Sequence, residues 1–156
     1  MLYEALDGRD GHSVGRALLT RAYRQATGEN LPKIALTERG KPYFPDGKRH
    51  FSISHTKNFV FCALSDRNIG LDAEEKGRKV TPAMIEKFTS PAEKLRLGSD
   101  PQDAFLRLWV QKEASAKLTG RGMGNWLKNT DFYPESPKLQ EINGCYVAVL
   151  EEENAV

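Results

Sequence analysis

A chain of 156 residues, 39% hydrophobic and 28% charged, has apolar side chain enough for one domain, or for two small halves sharing a core. Its 23 Lys and Arg stand against 21 Asp and Glu, a formal charge of +2, so the strong basic excess of a nucleic-acid binder is missing. No apolar run reaches the ~18 residues of a membrane span, and Met1–Asp7 has neither the basic start nor the apolar middle of a signal peptide. Cys62 and Cys145 each sit in an apolar run without zinc-type spacing, which suits buried thiols in a reducing compartment, so a cytoplasmic setting is expected.

A first strand is expected at Met1–Leu6. Ser13 can cap a helix to about Thr27, with Val14, Leu18, Ala22 and Ala26 on one stripe, Leu19 and Tyr23 beside it, and Gly28 at its end. A weak strand at Lys33–Thr37 precedes turns at Arg39-Gly40-Lys41-Pro42 and Pro45-Asp46-Gly47. Phe51–His55 alternates with Phe51 and Ile53 inward, Phe59–Ser65 is a fuller apolar strand, and Asp66-Arg67-Asn68 turns the chain into Ile69–Glu74. These three strands read as a meander. Thr81-Pro82 opens a short helix, and the capping box Ser90-Pro91-Ala92-Glu93 opens a second that stops near Gly98. Asp100-Pro101 opens the longest helix, to about Thr119, with Phe105, Leu108, Trp109, Lys112 and Ala116 along one side. A glycine-rich loop, residues 120–124, ends it. Strands are expected near Asn129–Tyr133 and at Cys145–Leu150. Phe61–Asp66 faintly echoes Tyr146–Glu151; two related halves would explain that, and so would chance.

Alternation in Ile69–Glu74 places Ile69, Leu71 and Ala73 on one face and Gly70, Asp72 and Glu74 on the other. Two carboxylates ~7 Å apart on one face repel, and they are costly to bury without positive charge between them. A hard divalent cation is one remedy, and a solvated sheet edge is the other. Trp109, Glu113 and Lys117 share a helix face. That face is either an exposed i,i+4 ion pair or a charged strip near an interface, since Trp109 and Ala116 should face a core.

Gly70-Leu71-Asp72-Ala73-Glu74 and Trp109-Val110-Gln111-Lys112-Glu113-Ala114-Ser115-Ala116-Lys117 resemble the two signature motifs of the 4′-phosphopantetheinyl transferase superfamily, G-[IVL]-D-x-E and W-x-x-K-E-[AS]-x-x-K, at a similar separation. Arg39-Gly40-Lys41-Pro42 is similar to the family's G-K-P turn, Phe51-Ser52-Ile53-Ser54-His55 to its F-[NS]-[IVL]-S-H strand, and Gly120-Arg121-Gly122-Met123 to its glycine-rich segment. The order holds from about Ser13 to the final strand, and the closest type is the surfactin-synthetase-activating one. The resemblance implies an α+β fold of two similar α/β halves in pseudo-twofold arrangement, residues 1–68 and 69–156, with the site at their interface.

It also implies a Mg²⁺-dependent transfer of 4′-phosphopantetheine from coenzyme A to a serine of an apo carrier protein, releasing adenosine 3′,5′-bisphosphate. On that match Asp72, Glu74 and Glu113 are the metal ligands. Glu113 is also the candidate base, and Lys117 the group that stabilises or protonates the leaving phosphate. Lys41, Ser54 and His55 match coenzyme contacts. Members of that type usually carry a longer N-terminal region whose basic residues meet the coenzyme 3′-phosphate. Here the helix begins early, so Arg9, His12 and Arg16 are the available substitutes, and Ser13 falls where the family places a hydroxyl on the coenzyme. The expected partners are coenzyme A and an acidic acyl or peptidyl carrier met by Lys76-Gly77-Arg78-Lys79 and the Arg121 region. A monomer that touches neither nucleic acid nor membrane is expected. The competing reading is a non-catalytic module that binds coenzyme A or a carrier protein. Lys112 is divided between core duty and binding.

Overall fold

In the structure, a computed structural model describing residues 1–153, helices and sheets form a mixed α+β fold. One three-stranded antiparallel sheet has the order β1 (Leu2–Ala5), β5 (Phe59–Ser65), β4 (His50–His55). A second has the order β6 (Ile69–Glu75), β8 (Cys145–Glu151), β7 (Leu139–Ile142), and β2 (Ala35–Leu36) with β3 (Pro42–Tyr43) makes a small hairpin. Helix α1 (Gly11–Thr27) packs on β5, and α4 (Pro101–Thr119) packs on β6 and β8.

Strand alternation builds three apolar layers. Val60 and Cys62 of β5 join Phe51, Leu18, Leu19 and Tyr23 under α1. The opposite face of β5, Phe61 and Ala63, meets Ile69, Leu71 and Ala73 of β6 between the sheets. Tyr146, Ala148 and Leu150 of β8 complete a third layer with Phe105, Leu106, Trp109 and Val110 of α4. Strand β6 is therefore covered on both faces, with its Gly70 side against α4.

The caps of α2 (Pro82–Phe88), α3 (Pro91–Leu95) and α4 are Thr81, Ser90 and Asp100, each followed by proline, as the sequence indicates. Helix α1 differs. Its cap is Asp10, whose carboxylate accepts from the backbone N–H and the hydroxyl of Ser13, each at 2.8 Å. An ionised acceptor three residues upstream takes the capping role that Ser13 was expected to fill. The buried stripe is Val14, Gly15, Leu18, Leu19 and Tyr23, while Ala26 is exposed.

The expected meander of β4, β5 and β6 does not form. Strand β6 pairs with β8, from Ile69 opposite Glu151 to Glu75 opposite Cys145. The chain is drawn there by Asn68, whose carbonyl accepts from Glu152 N–H (2.9 Å) and whose amide donates to the Leu118 carbonyl (2.9 Å). Strands β4 and β6 still lie side by side, but serine hydroxyls stitch them. Ser52 Oγ accepts from Leu71 N–H (2.9 Å), and Ser54 Oγ accepts from Ala73 N–H (3.2 Å). The strand expected at Asn129–Tyr133 is absent as well. Asn125–Asn129 is a 3₁₀ turn, Phe132 N–H donates to Glu93 (2.8 Å), and the Tyr133 carbonyl accepts from Gln111 (2.8 Å). Side chains satisfy this backbone where a ladder was expected. No helix among the described residues is long and apolar enough to cross a membrane.

Candidate functional site

The seam between β4 and β6 is where charge gathers. Gly70 lets the backbone of α4 come close to β6, with no room for a side chain between them. Asp72, two residues along the same face, is then aimed toward the same helix. It is 5% exposed, and its Oδ1 accepts from Lys117 Nζ of α4 (2.8 Å) and from Ser54 Oγ of β4 (3.0 Å). Its other oxygen, Oδ2, is buried without a hydrogen-bond partner. Lys117 reaches across to the strand instead of closing a pair along its own helix with Glu113.

Glu74 and Glu113 complete an acidic group, and both feel the charge of Asp72. Burial raises the Asp72 carboxyl above its ordinary range, against the pull of Lys117 and Ser54. Burial also lifts Glu74 to about 7, with Arg78 pulling it down and Asp72 and Glu113 pushing it further up. Glu113 is raised by burial first and by Asp72 second. The site holds more negative charge than its own cations neutralise, and a divalent ion would relieve it. Three carboxylates, one with a buried oxygen lacking any partner, are of the hard-oxygen chemistry that a divalent cation takes. Among the described residues no three His, Cys, Asp or Glu side chains already close on one point; Glu74 is engaged by Arg78.

The folded chain thus holds the Glu74 proton more tightly than an unfolded chain, in which the value is 4.5. Stability from this group is complete below 4.5 and is lost as pH rises toward 7. The unfolding free energy of wild type minus that of Glu74→Gln, from urea titrations, should therefore fall with pH across this window. A difference that climbs instead would mean that Arg78 outweighs burial.

Two cavities adjoin the acidic group, and Lys117 lines both. One, of about 390 Å³, is bordered by His12, Ser54, His55, Asp72, Glu74 and Lys117. The other, of about 310 Å³, is bordered by Arg39, Lys41, Phe51, Glu113 and Met123. A larger hollow of about 770 Å³ between Leu118, Tyr133 and Leu150 contains none of the residues expected to do chemistry.

The remaining candidates are placed unevenly. His12 and His55 meet edge to face, ring centres 5.5 Å apart, at the mouth of the first cavity. Lys41 borders the second cavity, but its ammonium donates to Asn68 Oδ1 (2.7 Å) and to the Leu118 carbonyl near the end of α4 (2.8 Å). Burial lowers the Lys41 pKa. Arg9 is brought to neither cavity; it pairs with Glu4 (2.8 Å) and donates to the Leu6 carbonyl (2.9 Å). Ser13 is engaged by Asp10, and Arg16 is exposed on α1. Lys112 is structural: it is fully buried and paired with Glu93 (2.8 Å). Sequence reasoning missed Arg78 as the partner of Glu74, although it lies i+4 from it within a basic loop. It also missed Ser52, which shares its strand face with Ser54.

Residues 68–148, half of the chain and all of this acidic group, match the family model of the 4′-phosphopantetheinyl transferase superfamily, and the chain belongs to that superfamily. Among curated relatives, it is 35% identical over 117 residues to a 4′-phosphopantetheinyl transferase of Bacillus subtilis, covering 70% of this chain and 52% of the relative. It is 32% identical over 118 residues to the 4′-phosphopantetheinyl transferase Sfp of Bacillus subtilis strain 168 (72% and 51%). It is 37% identical over 140 residues to the 4′-phosphopantetheinyl transferase gsp of Aneurinibacillus migulanus (78% and 57%). The chain spans about half the length of the curated relatives it matches.

Proposed function

We propose that this chain transfers the 4′-phosphopantetheine group of coenzyme A to a serine of an apo acyl or peptidyl carrier protein, with Mg²⁺, releasing adenosine 3′,5′-bisphosphate. The observation that carries the reading is that Glu74 and Glu113, on one strand and one helix, both feel Asp72, whose partner Lys117 borders both cavities. Asp72, Glu74 and Glu113 would hold the ion, which when bound supplies positive charge to the pyrophosphate. The carrier hydroxyl attacks the phosphorus that bears the pantetheine, and the bond from that phosphorus to the bridging oxygen breaks. Glu113, raised by burial, is suited to take the hydroxyl proton. Lys117 is placed to stabilise charge on the departing phosphate, exchanging its Asp72 contact for the new anion. Ser54 keeps Asp72 oriented, His55 and His12 offer donors to the coenzyme from the first cavity, Lys41 offers a phosphate contact from the second, and Arg16, exposed on α1, is carried by the family resemblance alone.

Two similar halves, residues 1–68 and 69–156, in pseudo-twofold relation are part of the same proposal; residues 154–156 lie outside the described residues. Its support is that β5 and β8, which carry the sequence echo, are the central strands of their sheets, and that each sheet packs one long helix. A monomer suffices when both halves lie in one chain. Buried Cys62 and Cys145, both free thiols, suit a reducing compartment, and a cytoplasmic setting without membrane or nucleic-acid partners is part of the same proposal.

The test is incubation with coenzyme A, Mg²⁺ and apo carriers of fatty-acid, polyketide and peptide synthesis. The expected result is a carrier heavier by one phosphopantetheine group, with Asp72→Ala and Glu113→Gln folded but unable to catalyse it. Near-normal transfer by either variant would sink the site assignment. No mass gain on any carrier would favour the non-catalytic module.

A further inference from the structure

Helix α4 ends unlike α1. Both stop at a left-handed glycine, Gly28 (φ 76°) and Gly120 (φ 67°). Gly28 closes α1 by donating its N–H to the Arg24 carbonyl (2.8 Å), whereas Gly120 makes no such bond among the described residues. Carbonyls left open at a helix end need donors from elsewhere. The Leu118 carbonyl accepts from Lys41 Nζ (2.8 Å) and from Asn68 Nδ2 (2.9 Å), and the Arg121 carbonyl just beyond accepts from Arg39 Nη1 (2.7 Å). Lys41 and Asn68 are also bonded to each other (2.7 Å). Two cations at the carbonyl end of a helix suit its dipole as well.

Arg39 and Lys41 both lie in the turn of the β2–β3 hairpin, which pairs with neither of the larger sheets. The turn is locked within itself: Gly40 N–H donates to the Thr37 carbonyl (2.9 Å) and Lys41 N–H to Thr37 Oγ1 (3.0 Å). Ile34 and Phe44, on either side of the hairpin, pack in the layer under α1. The hairpin thus carries a fixed position from that layer to Leu118, the chain neighbour of Lys117. Lys117 sits in the last turn of α4, where helices fray, and from there it reaches Asp72.

We propose that the β2–β3 hairpin clamps the carbonyl end of α4, with Arg39, Lys41 and Asn68 standing in for a backbone cap, and that this clamp keeps Lys117 on Asp72 and sets the width of the second cavity. That cavity has the hairpin along one wall, with Arg39 and Pro42, and Glu113, Lys117 and Met123 along the other. Arg39 and Asn68 are positioning residues that act through Lys117, and the inference rests on the role given to Lys117 above. An ammonium has three N–H donors, so Lys41 spends two on the clamp and keeps one for a phosphate.

In ligand-free protein carrying isotope-labelled lysine, the NMR signal of the Lys117 ε-methylene, assigned through Lys117→Arg, should move in Arg39→Ala and in Asn68→Ala, and further in the double variant. In the transfer assay kcat should fall about tenfold in Asn68→Ala and about threefold in Arg39→Ala, whose bond is exposed. The KM for coenzyme A should change less than about twofold, because a displaced group that acts on the departing phosphate costs rate and not ground-state binding. Arg39→Lys, which keeps a donor, should recover most of the rate. A raised KM at unchanged kcat overturns the clamp and makes the hairpin a binding surface. A Lys117 signal that stays in place while the melting temperature falls overturns it too, leaving a purely structural contact. Should Asn68→Ala fail to fold, Arg39→Ala decides alone. Should the wild type modify no carrier, a moved Lys117 signal keeps the clamp while the transferase reading falls, and an unmoved one sinks both.

Discussion

Gly70→Ala should destabilise the fold by about 3 kcal/mol and lower the melting temperature by roughly 10 °C. A methyl group there would lie 2.0 Å from the Ala114 carbonyl oxygen, 2.5 Å from Leu118 N and 2.9 Å from its Cα. All three are backbone atoms of α4, so no rotamer change can make room. The helix itself must move off the sheet, against a packed layer of Phe105, Leu106, Val110 and Tyr146. Overpacking usually costs about 1–3 kcal/mol, and an overlap with rigid backbone belongs at the upper end. The site should suffer beyond the fold. Ala114 and Leu118 are the chain neighbours of Glu113 and Lys117, so the displacement that admits the methyl carries both away from Asp72, and the 2.8 Å Lys117 contact opens. Thermal unfolding by circular dichroism measures the first effect, and transfer assayed well below the melting point measures the second. A melting temperature within about 2 °C of wild type would show that α4 can give way cheaply.

What the sequence discloses about this molecule follows the range of each interaction. Thr81, Ser90 and Asp100 are legible as caps because capping involves residues three apart and a following proline. The partner of β6 is not legible, because it is set by Asn68 bonding to Leu118 and Glu152, far along the chain. One legible signal was passed over. Asn143-Gly144, with φ of 48° and 75°, is the hairpin turn between β7 and β8, and the Asn-Gly pair marks it. In the site, Asp72, Glu74, Glu113 and Lys117 stand out through two motifs. Which cation each carboxylate selects does not, since Lys117 crosses to Asp72 and Arg78 takes Glu74. Arg9 and Ser13 show the opposite case, in which near neighbours, Glu4 and Asp10, engage groups that the family resemblance offers as coenzyme contacts.

Lys112→Met should cost about 4 kcal/mol, although Lys112 touches nothing in the acidic cluster. Its ammonium and the Glu93 carboxylate are 2.8 Å apart, and both side chains are 0% exposed. Lys112 also donates to the Leu127 carbonyl (3.0 Å), while Glu93 accepts from Ser90 N–H (2.9 Å) and Phe132 N–H (2.8 Å). The pair therefore ties the start of α3, the middle of α4 and the segment from Leu127 to Phe132 into one knot. Methionine fills the lysine stem's space but leaves a buried carboxylate with only backbone donors, and removal of one member of a buried pair costs about 3–5 kcal/mol. Glu93→Gln in the same chain removes that stranded charge and keeps one acceptor oxygen, so the double variant should be more stable than Lys112→Met alone. Urea denaturation of the wild type, both single variants and the double variant gives the coupling directly. If the double variant were the least stable of the four, the knot would be held by its separate hydrogen bonds to Leu127, Ser90 and Phe132, and the ion pair at its centre would contribute little.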